Sequence, residues 1–249
     1  MHSWSARPSC VPRIRAPNWN VCLADSRRVI VFDFDKTIFA GDIGFEITRW
    51  RLLRSPWRCA LGILLLPLYA PLFLHARSLR WGIGFAYWLS TVAAHDDDQH
   101  DFFATHGAAL RQRLFPQALI ALSEAQAQDT LVIIATGALP DLVRHLLQPV
   151  LECVPEIIGS TTRPFGGGRV LAQHCHRSEK LRMLKEAGLS PPYAIAYSDS
   201  LADTPLFAAS QRVVLVNAND SQANTLQHRL GRAIERATWS NASESTEQT

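Results

Sequence analysis

The chain has 249 residues and a formal net charge of +3. Apolar residues make up 47% and charged residues 19%, which excludes a largely disordered chain and leaves material for one or two packed domains. Arginine outnumbers lysine 22 to 3, and residues 1–80 carry a balance of +7 while residues 81–249 carry −4. That split excludes a uniformly basic, nucleic-acid-binding chain and sets the positive charge beside the most apolar segment.

Residues 1–27 contain three prolines, scattered arginines and no apolar h-region, so they do not read as a secretory signal. They are expected to form a disordered basic extension. Val29–Asp33 is a short apolar run with a polar end, the pattern of a buried strand. Leu131–Ala135, Ala194–Tyr197 and Val213–Val216 repeat that pattern. Helical stretches are predicted over Gln117–Gln128, Pro140–Leu147, Ser178–Ala187 and Asp203–Ala209. Strand–helix alternation points to an α/β fold, a Rossmann-like parallel sheet with helices on both faces. Residues 43–113 read as helices only and are expected to be an inserted all-helical cap. Residues 28–42 and 114–240 then form the α/β core, and the Ser/Thr/Glu-rich residues 241–249 a disordered tail. Gly166-Gly167-Gly168 is predicted to turn a hairpin between Ile157–Thr161 and Arg169–Gln173.

The five cysteines are widely spaced, odd in number and without CxxC, which fits a reducing compartment better than a disulfide framework. His174-Cys175-His176 suggests a metal site at first sight. Neighbouring residues of a strand point to opposite faces, so a plain strand end is expected there. His95, His100 and His106 near Asp96–Asp98 read as a solvated acidic turn and helix start.

Three apolar strands end in polar residues, and ligands of open α/β sheets bind outside the carboxyl ends of strands. The first ends Asp33-Phe34-Asp35-Lys36-Thr37, where one carboxylate can act as nucleophile and the other as general acid and base. Taken alone, it reads equally well as a solvated turn. Thr136-Gly137 before Pro140 offers a hydroxyl and a helix start, as a phosphate cradle or an ordinary loop would. Lys180 opens an amphipathic helix and can neutralise a carboxylate and a phosphoryl group, or lie on the surface. Ser198-Asp199-Ser200-Leu201-Ala202-Asp203 supplies two carboxylates that, with Asp33, suit a hard cation such as Mg²⁺, or else a capped helix start.

The order D-x-D-x-T, Thr-Gly, Lys, S-D-S-x-x-D resembles the haloacid dehalogenase superfamily over Val29–Val216. The resemblance implies that Asp33 is the nucleophile forming an aspartyl-phosphate. Asp35, an acid found in the phosphatase branch, would protonate the leaving alkoxide and then activate water. Thr136 and the Gly137 amide would hold phosphoryl oxygens, Thr37 would order the phosphate loop, and Lys180 would stabilise charge. Mg²⁺ would be held by Asp33, the Asp35 carbonyl and Asp199, with Asp203 supporting the shell. Ser198 stands where the common pattern has Gly, a departure expected to matter little because the carboxylates remain. Asp42 is expected to cap the next helix rather than bind a substrate amine, as a Glu near that place does in phosphoserine phosphatases. Glu46 is expected on the helix surface.

The cap region holds two uncharged stretches, 18 residues over Cys59–Ala76 and 15 over Trp81–His95. Pro67, Pro71 and arginines at both ends (Arg49, Arg51, Arg54, Arg58, Arg77, Arg80) argue against a single membrane span and for a re-entrant or interfacial segment. Trp50, Trp57, Trp81 and Trp88 stand where an interfacial belt would. Leu52–Leu74, Arg80-Trp81 and Tyr197–Phe207 look like the bacterial phosphatidylglycerophosphatase C family, which removes the terminal phosphate of phosphatidylglycerol phosphate. The expectation is a Mg²⁺-dependent phosphomonoesterase at the cytoplasmic face of a bacterial inner membrane. It would take an anionic phospholipid substrate and meet the membrane surface through residues 49–95. A soluble cytoplasmic small-molecule phosphatase and a non-enzymatic membrane scaffold are the alternatives.

Overall fold

The structure, a computed structural model, describes residues 28–74, 79–94, 98–128 and 130–241. The expected extension 1–27, nearly all of the tail 241–249, and Arg77, His95, Asp96 and Asp97 therefore lie outside the described residues, as does the side chain of Arg80.

Strand β1 (Val29–Phe32) leads into helices α1 (Ile43–Arg54), α2 (Pro56–Tyr69), α3 (Pro71–Leu74), α4 (Leu79–Thr91), α5 (Asp98–Arg111) and α6 (Pro116–Ala127). Then follow β2 (Leu131–Thr136), α7 (Pro140–Leu147), β3 (Glu156–Gly159), β4 (Thr161–Phe165), β5 (Gly168–Gln173) and α8 (Ser178–Glu186). The chain continues through β6 (Tyr193–Ser198), a 3₁₀ turn (Leu201–Asp203), α9 (Thr204–Ala208), β7 (Ser210–Val216), α10 (Asp220–Leu230) and β8 (Glu235–Ala237). The main sheet has six parallel strands in the order β3-β2-β1-β6-β7-β8. Chain order runs outward one way from β1 and then restarts at β6 on its other side. The crevice between β1 and β6 is thus the topological switch point, where such sheets place ligands.

Alternation along the strands builds a core on each face. Ile30, Phe32, Val132 and Ile134 pack with apolar residues of α1, α5, α6 and α7. Val31, Ile133 and Ala135 pack with Leu184, Leu206, Phe207 and Leu226 of α8, α9 and α10. Phe32 stacks on Tyr197 across the switch point, with ring centroids 4.3 Å apart.

The helical insertion divides physically into two parts. Ile43 and Ile47 of α1 and Phe102 and Leu110 of α5 belong to the sheet's own core. Helices α2, α3 and α4 instead leave much of their apolar surface in solvent. Ile63, Leu64, Leu68 and Leu74 are 72–79% exposed, and Trp57, Leu66 and Trp81 are exposed too. Among the described residues, no helix is long and apolar enough to cross a membrane.

Two expectations change. Ile157–Gly159 lies in β3, paired with β2 at the sheet edge, so only Thr161–Phe165 forms the hairpin with β5. Ile157 is buried against the core, whereas the hairpin's outer residues are exposed, so burial assigns the apolar run to the sheet. Gly166 and Gly167 make the turn, both at positive φ, as a two-residue turn of the primed type requires. The hairpin packs on α4: Trp88 Nε1 donates to the Phe165 carbonyl at 3.0 Å, and the Arg169 amide donates to Thr91 Oγ1 at 2.9 Å. Gly168 lies so close to α4 that a Cβ there would come within 3.0 Å of the Val92 nitrogen.

The second change concerns the arginines expected to bracket the apolar stretch. Arg51 and Arg58 are buried. Arg58 Nε donates to the Val92 carbonyl just past α4 at 2.9 Å, using its charge to close a helix end. Arg54 pairs with Asp101 at 2.9 Å. The apolar face is therefore bracketed by fewer free cations than the sequence suggests.

Candidate functional site

The carboxyl ends of β1, β2 and β6 and the start of α8 converge on one buried polar cluster. Asp33 follows β1 directly, and its amide donates to the Tyr197 carbonyl of β6 at 2.8 Å, which anchors it at the switch point. Its Oδ1 accepts from the Phe34 amide at 2.8 Å and from Lys180 Nζ at 3.0 Å. Its Oδ2 has only a long contact, 3.3 Å from Ser198 Oγ. Burial pushes the Asp33 carboxyl up to about 7, with Lys180 opposing the rise and Asp203 and Asp199 adding to it.

Asp35 lies on the other side of the loop. Its Oδ1 accepts from the Ile43 amide at 2.9 Å, and its Oδ2 faces Thr136 Oγ1 at 3.4 Å. Burial, then the nearby charge of Asp42, raises its carboxyl well above the ordinary range, while the Ile43 amide works the other way. A carboxyl that holds its proton more tightly than usual is shifted toward the state a general acid needs.

Lys180 is 2% exposed and bonds Asp203 at 2.7 Å as well as Asp33. Burial alone would lower its basicity; the two carboxylates outweigh burial and raise it, so the ammonium stays charged. Asp203 sits at the end of the 3₁₀ turn but makes no capping bond. Ser200 caps that turn through the Ala202 amide at 3.1 Å, leaving Asp203 for Lys180 and Ser198. Asp199 is raised by burial, with Lys36 opposing.

Thr37 is fully buried, and its hydroxyl is taken by Asp199, accepting from the Asp199 amide at 3.0 Å. It ties the loop after β1 to the loop after β6. Thr136 Oγ1 accepts from the Ala138 amide at 3.0 Å, holding the loop that carries Gly137. Beside Gly137 lies His174, with Nε2 3.6 Å from where a Cβ would stand. The His174 and His176 rings stack 5.4 Å apart beyond the end of β5, and burial lowers the basicity of both. Cys175 between them is buried and its thiol pushed up to about 12, so it is no nucleophile.

Asp42 caps α1 by accepting from the Phe45 amide at 2.8 Å, as expected. Glu46 is not a free surface residue: it pairs with Arg113 at 2.7 Å, and Arg113 also donates to the Ala40 carbonyl. Sequence reasoning passed over this brace and over the role of Ser198. A hydroxyl at a strand end, one residue before a carboxylate, places Ser198 near the site but does not show what it bonds.

Asp33 and Asp203 bond one buried ammonium, Asp199 follows the end of β6, and Asp203 Oδ1 is buried with no hydrogen-bond partner. These features call for a cation with hard oxygen ligands. Among the described residues, no three His, Cys, Asp or Glu side chains make a metal cage by themselves. Mg²⁺ needs only one or two carboxylates, since it keeps several waters. The donor set fits.

A parallel sheet with a carboxylate-bearing loop at its switch point, a buried lysine and an acidic pair after the neighbouring strand defines a Rossmann-like hydrolase whose chemistry rests on carboxylates. Residues 30–208 match the haloacid dehalogenase-like hydrolase family, and the chain belongs to it. Solved structures share the fold. A protein of unknown function from Bordetella pertussis is 19% identical with a TM-score of 0.60, covering 84% of this chain and 98% of that one. A phosphoserine phosphohydrolase-like protein from Francisella tularensis is 17% identical with a TM-score of 0.56, over 88% and 98%. A phospho-aspartyl intermediate analogue of phosphoserine phosphatase is 13% identical with a TM-score of 0.52, over 89% and 98%.

Proposed function

We propose that this chain hydrolyses the phosphate monoester of a lipid at a membrane surface, with phosphatidylglycerol phosphate as the substrate. The observation that carries the reading is the exposed apolar face of α2, α3 and α4 on the insertion beside a phosphatase-type site. Soluble monomers rarely leave so contiguous a patch in water, and burying one Leu or Ile contributes roughly 1.5–3 kcal/mol. Helix α2 has 14 residues and contains Pro67, so it suits lying in the interface rather than spanning it. The resemblance of Leu52–Leu74 and Tyr197–Phe207 to phosphatidylglycerophosphatase C supports the headgroup assignment. The place of action is then the cytoplasmic face of a bacterial inner membrane.

The chemistry follows from the cluster. Asp33 attacks phosphorus as the P–O bond to the lipid alkoxide breaks, and Asp35 gives that alkoxide its proton. Asp35, now a carboxylate, takes a proton from water, whose oxygen attacks the aspartyl-phosphate and frees inorganic phosphate and Asp33. Lys180 keeps Asp33 oriented and offers positive charge to the phosphoryl oxygens, with the Gly137 amide and Thr136 on the opposite side. Mg²⁺, when bound, would be held by Asp33, the Asp35 carbonyl and Asp199, with Asp203 behind them, and would neutralise phosphoryl charge.

The test is phosphate release from phosphatidylglycerol phosphate in mixed micelles with Mg²⁺, beside phosphoserine and sugar phosphates. Release from the lipid, with Asp33→Asn inactive, supports the reading. Preference for phosphoserine, with no vesicle binding, would overturn the lipid assignment and keep the hydrolase.

A further inference from the structure

The family-type roles account for Asp33, Lys180 and Asp203 but not for the hydroxyl between them. Ser198 ends β6 and is fully buried. Its Oγ lies 2.7 Å from Asp203 Oδ2 and 3.3 Å from Asp33 Oδ2, and accepts from the Ser200 amide at 3.2 Å. A serine hydroxyl has one proton to give. The shorter contact assigns it to Asp203, leaving Asp33 Oδ2 free of a close donor.

Asp203 Oδ2 thus receives two donors at 2.7 Å, Ser198 and Lys180. Its Oδ1 receives none, although it is buried. An unrestrained carboxylate would rotate to share its two donors between two oxygens. Two donors converging on one oxygen hold the plane of the group, keeping Oδ1 free and Lys180 Nζ 3.0 Å from Asp33 Oδ1.

We propose that Ser198 is a positioning residue: its hydroxyl locks Asp203, and through Asp203 it sets where the Lys180 ammonium meets the nucleophile and keeps Asp203 Oδ1 open toward the cation side. This rests on the hydrolase reading above. The locked carboxylate serves the phosphoryl-transfer step and the cation, not the recognition of one substrate.

The experiment compares Ser198→Ala, Ser198→Thr, Asp203→Asn and the Ser198→Ala/Asp203→Asn double variant, on the whole chain. Readouts are kcat and KM with p-nitrophenyl phosphate, and Mg²⁺ affinity by titration calorimetry, which needs no turnover. Ser198→Ala is expected to lower kcat about tenfold with KM nearly unchanged, the scale of a lost charge-assisted hydrogen bond. Mg²⁺ affinity is expected to fall severalfold, and Ser198→Thr to restore much of both. In the Asp203→Asn background the Ser198 substitution is expected to cost little more, since it acts through Asp203. Wild-type kcat and Mg²⁺ affinity in Ser198→Ala, or additive losses in the double variant, would overturn the proposal. Should Ser198→Ala melt early, Ser198→Thr decides. Retained Mg²⁺ affinity supports the lock, and its loss in a chain that melts like wild type refutes it.

Discussion

The switch-point site and the apolar face of the insertion invert each other's physics. At the strand ends, Asp33, Lys180 and Asp203 are buried together; their mutual bonds outweigh burial at Lys180, while burial still prevails at Asp33. On α2 to α4, leucines and isoleucines stand in solvent while Arg51 and Arg58 are drawn inside. The two regions follow separate rules: the site is held by paired charges in low dielectric, and the outer face of α2 to α4 is left as unpaired apolar area, which on the proposed reading is what meets the membrane.

The largest effect is expected from Asp33→Asn, which should bring phosphate release to background on every substrate while leaving vesicle binding intact. Asp35→Asn should cost about 10²–10⁴-fold on alkyl phosphates. With a p-nitrophenyl leaving group, which needs no proton, the first burst of p-nitrophenol should persist while turnover still falls, since Asp35 also activates water; a burst slowed as much as release from alkyl phosphates would remove Asp35 as the acid. Replacing Leu64 and Leu68 together by Glu should cut binding to phosphatidylglycerol vesicles by at least about tenfold. Hydrolysis of p-nitrophenyl phosphate should stay near wild type, and unchanged vesicle binding would refute the docking face.

The pH dependence of stability reads the buried carboxylates directly. Asp33, Asp35 and Asp199 are all raised in the folded state, burial being the first cause. Between their unfolded value and their folded ones the native state binds more protons, so metal-free stability should fall as pH rises from about 4 through 7. The loss for Asp33 alone is on the order of a few kcal/mol. Differential scanning calorimetry without metal should show a higher melting temperature at pH 5 than at pH 8. Mg²⁺ should recover the difference, and Asp33→Asn should shrink it to the part owed to Asp35 and Asp199. The smallest effect is expected where the regions meet: Gly168→Ala pushes a Cβ to 3.0 Å from Val92, costing about 1–3 kcal/mol by denaturant titration.

Much of the site was legible in the chain because each carboxylate or hydroxyl follows an apolar run, and strand ends in a parallel sheet share one edge. Asp33, Asp35, Thr136, Lys180, Asp199 and Asp203 all meet there, and Asp42 caps α1 as its position suggested. Ser198 was not legible as a working group: Asp203 is only five residues on, but the Lys180 ammonium that shares its oxygen and the Asp33 carboxylate beyond it come from other elements of the fold. The Arg113–Glu46 brace and the Arg58–Val92 bond join residues far apart in the chain in the same way.

By itself the sequence determined the alternation of strands and helices, the hydrolase motif set and the apolar insertion, because these depend on local periodicity and residue chemistry. Tertiary structure decided which hydroxyl each carboxylate meets, that Thr37 serves Asp199, and that β3 joins the main sheet while β4 and β5 clasp α4. It also decided which arginines are buried. Burial and hydrogen-bond partners depend on what packs against a residue, and that is set by contacts across the whole fold.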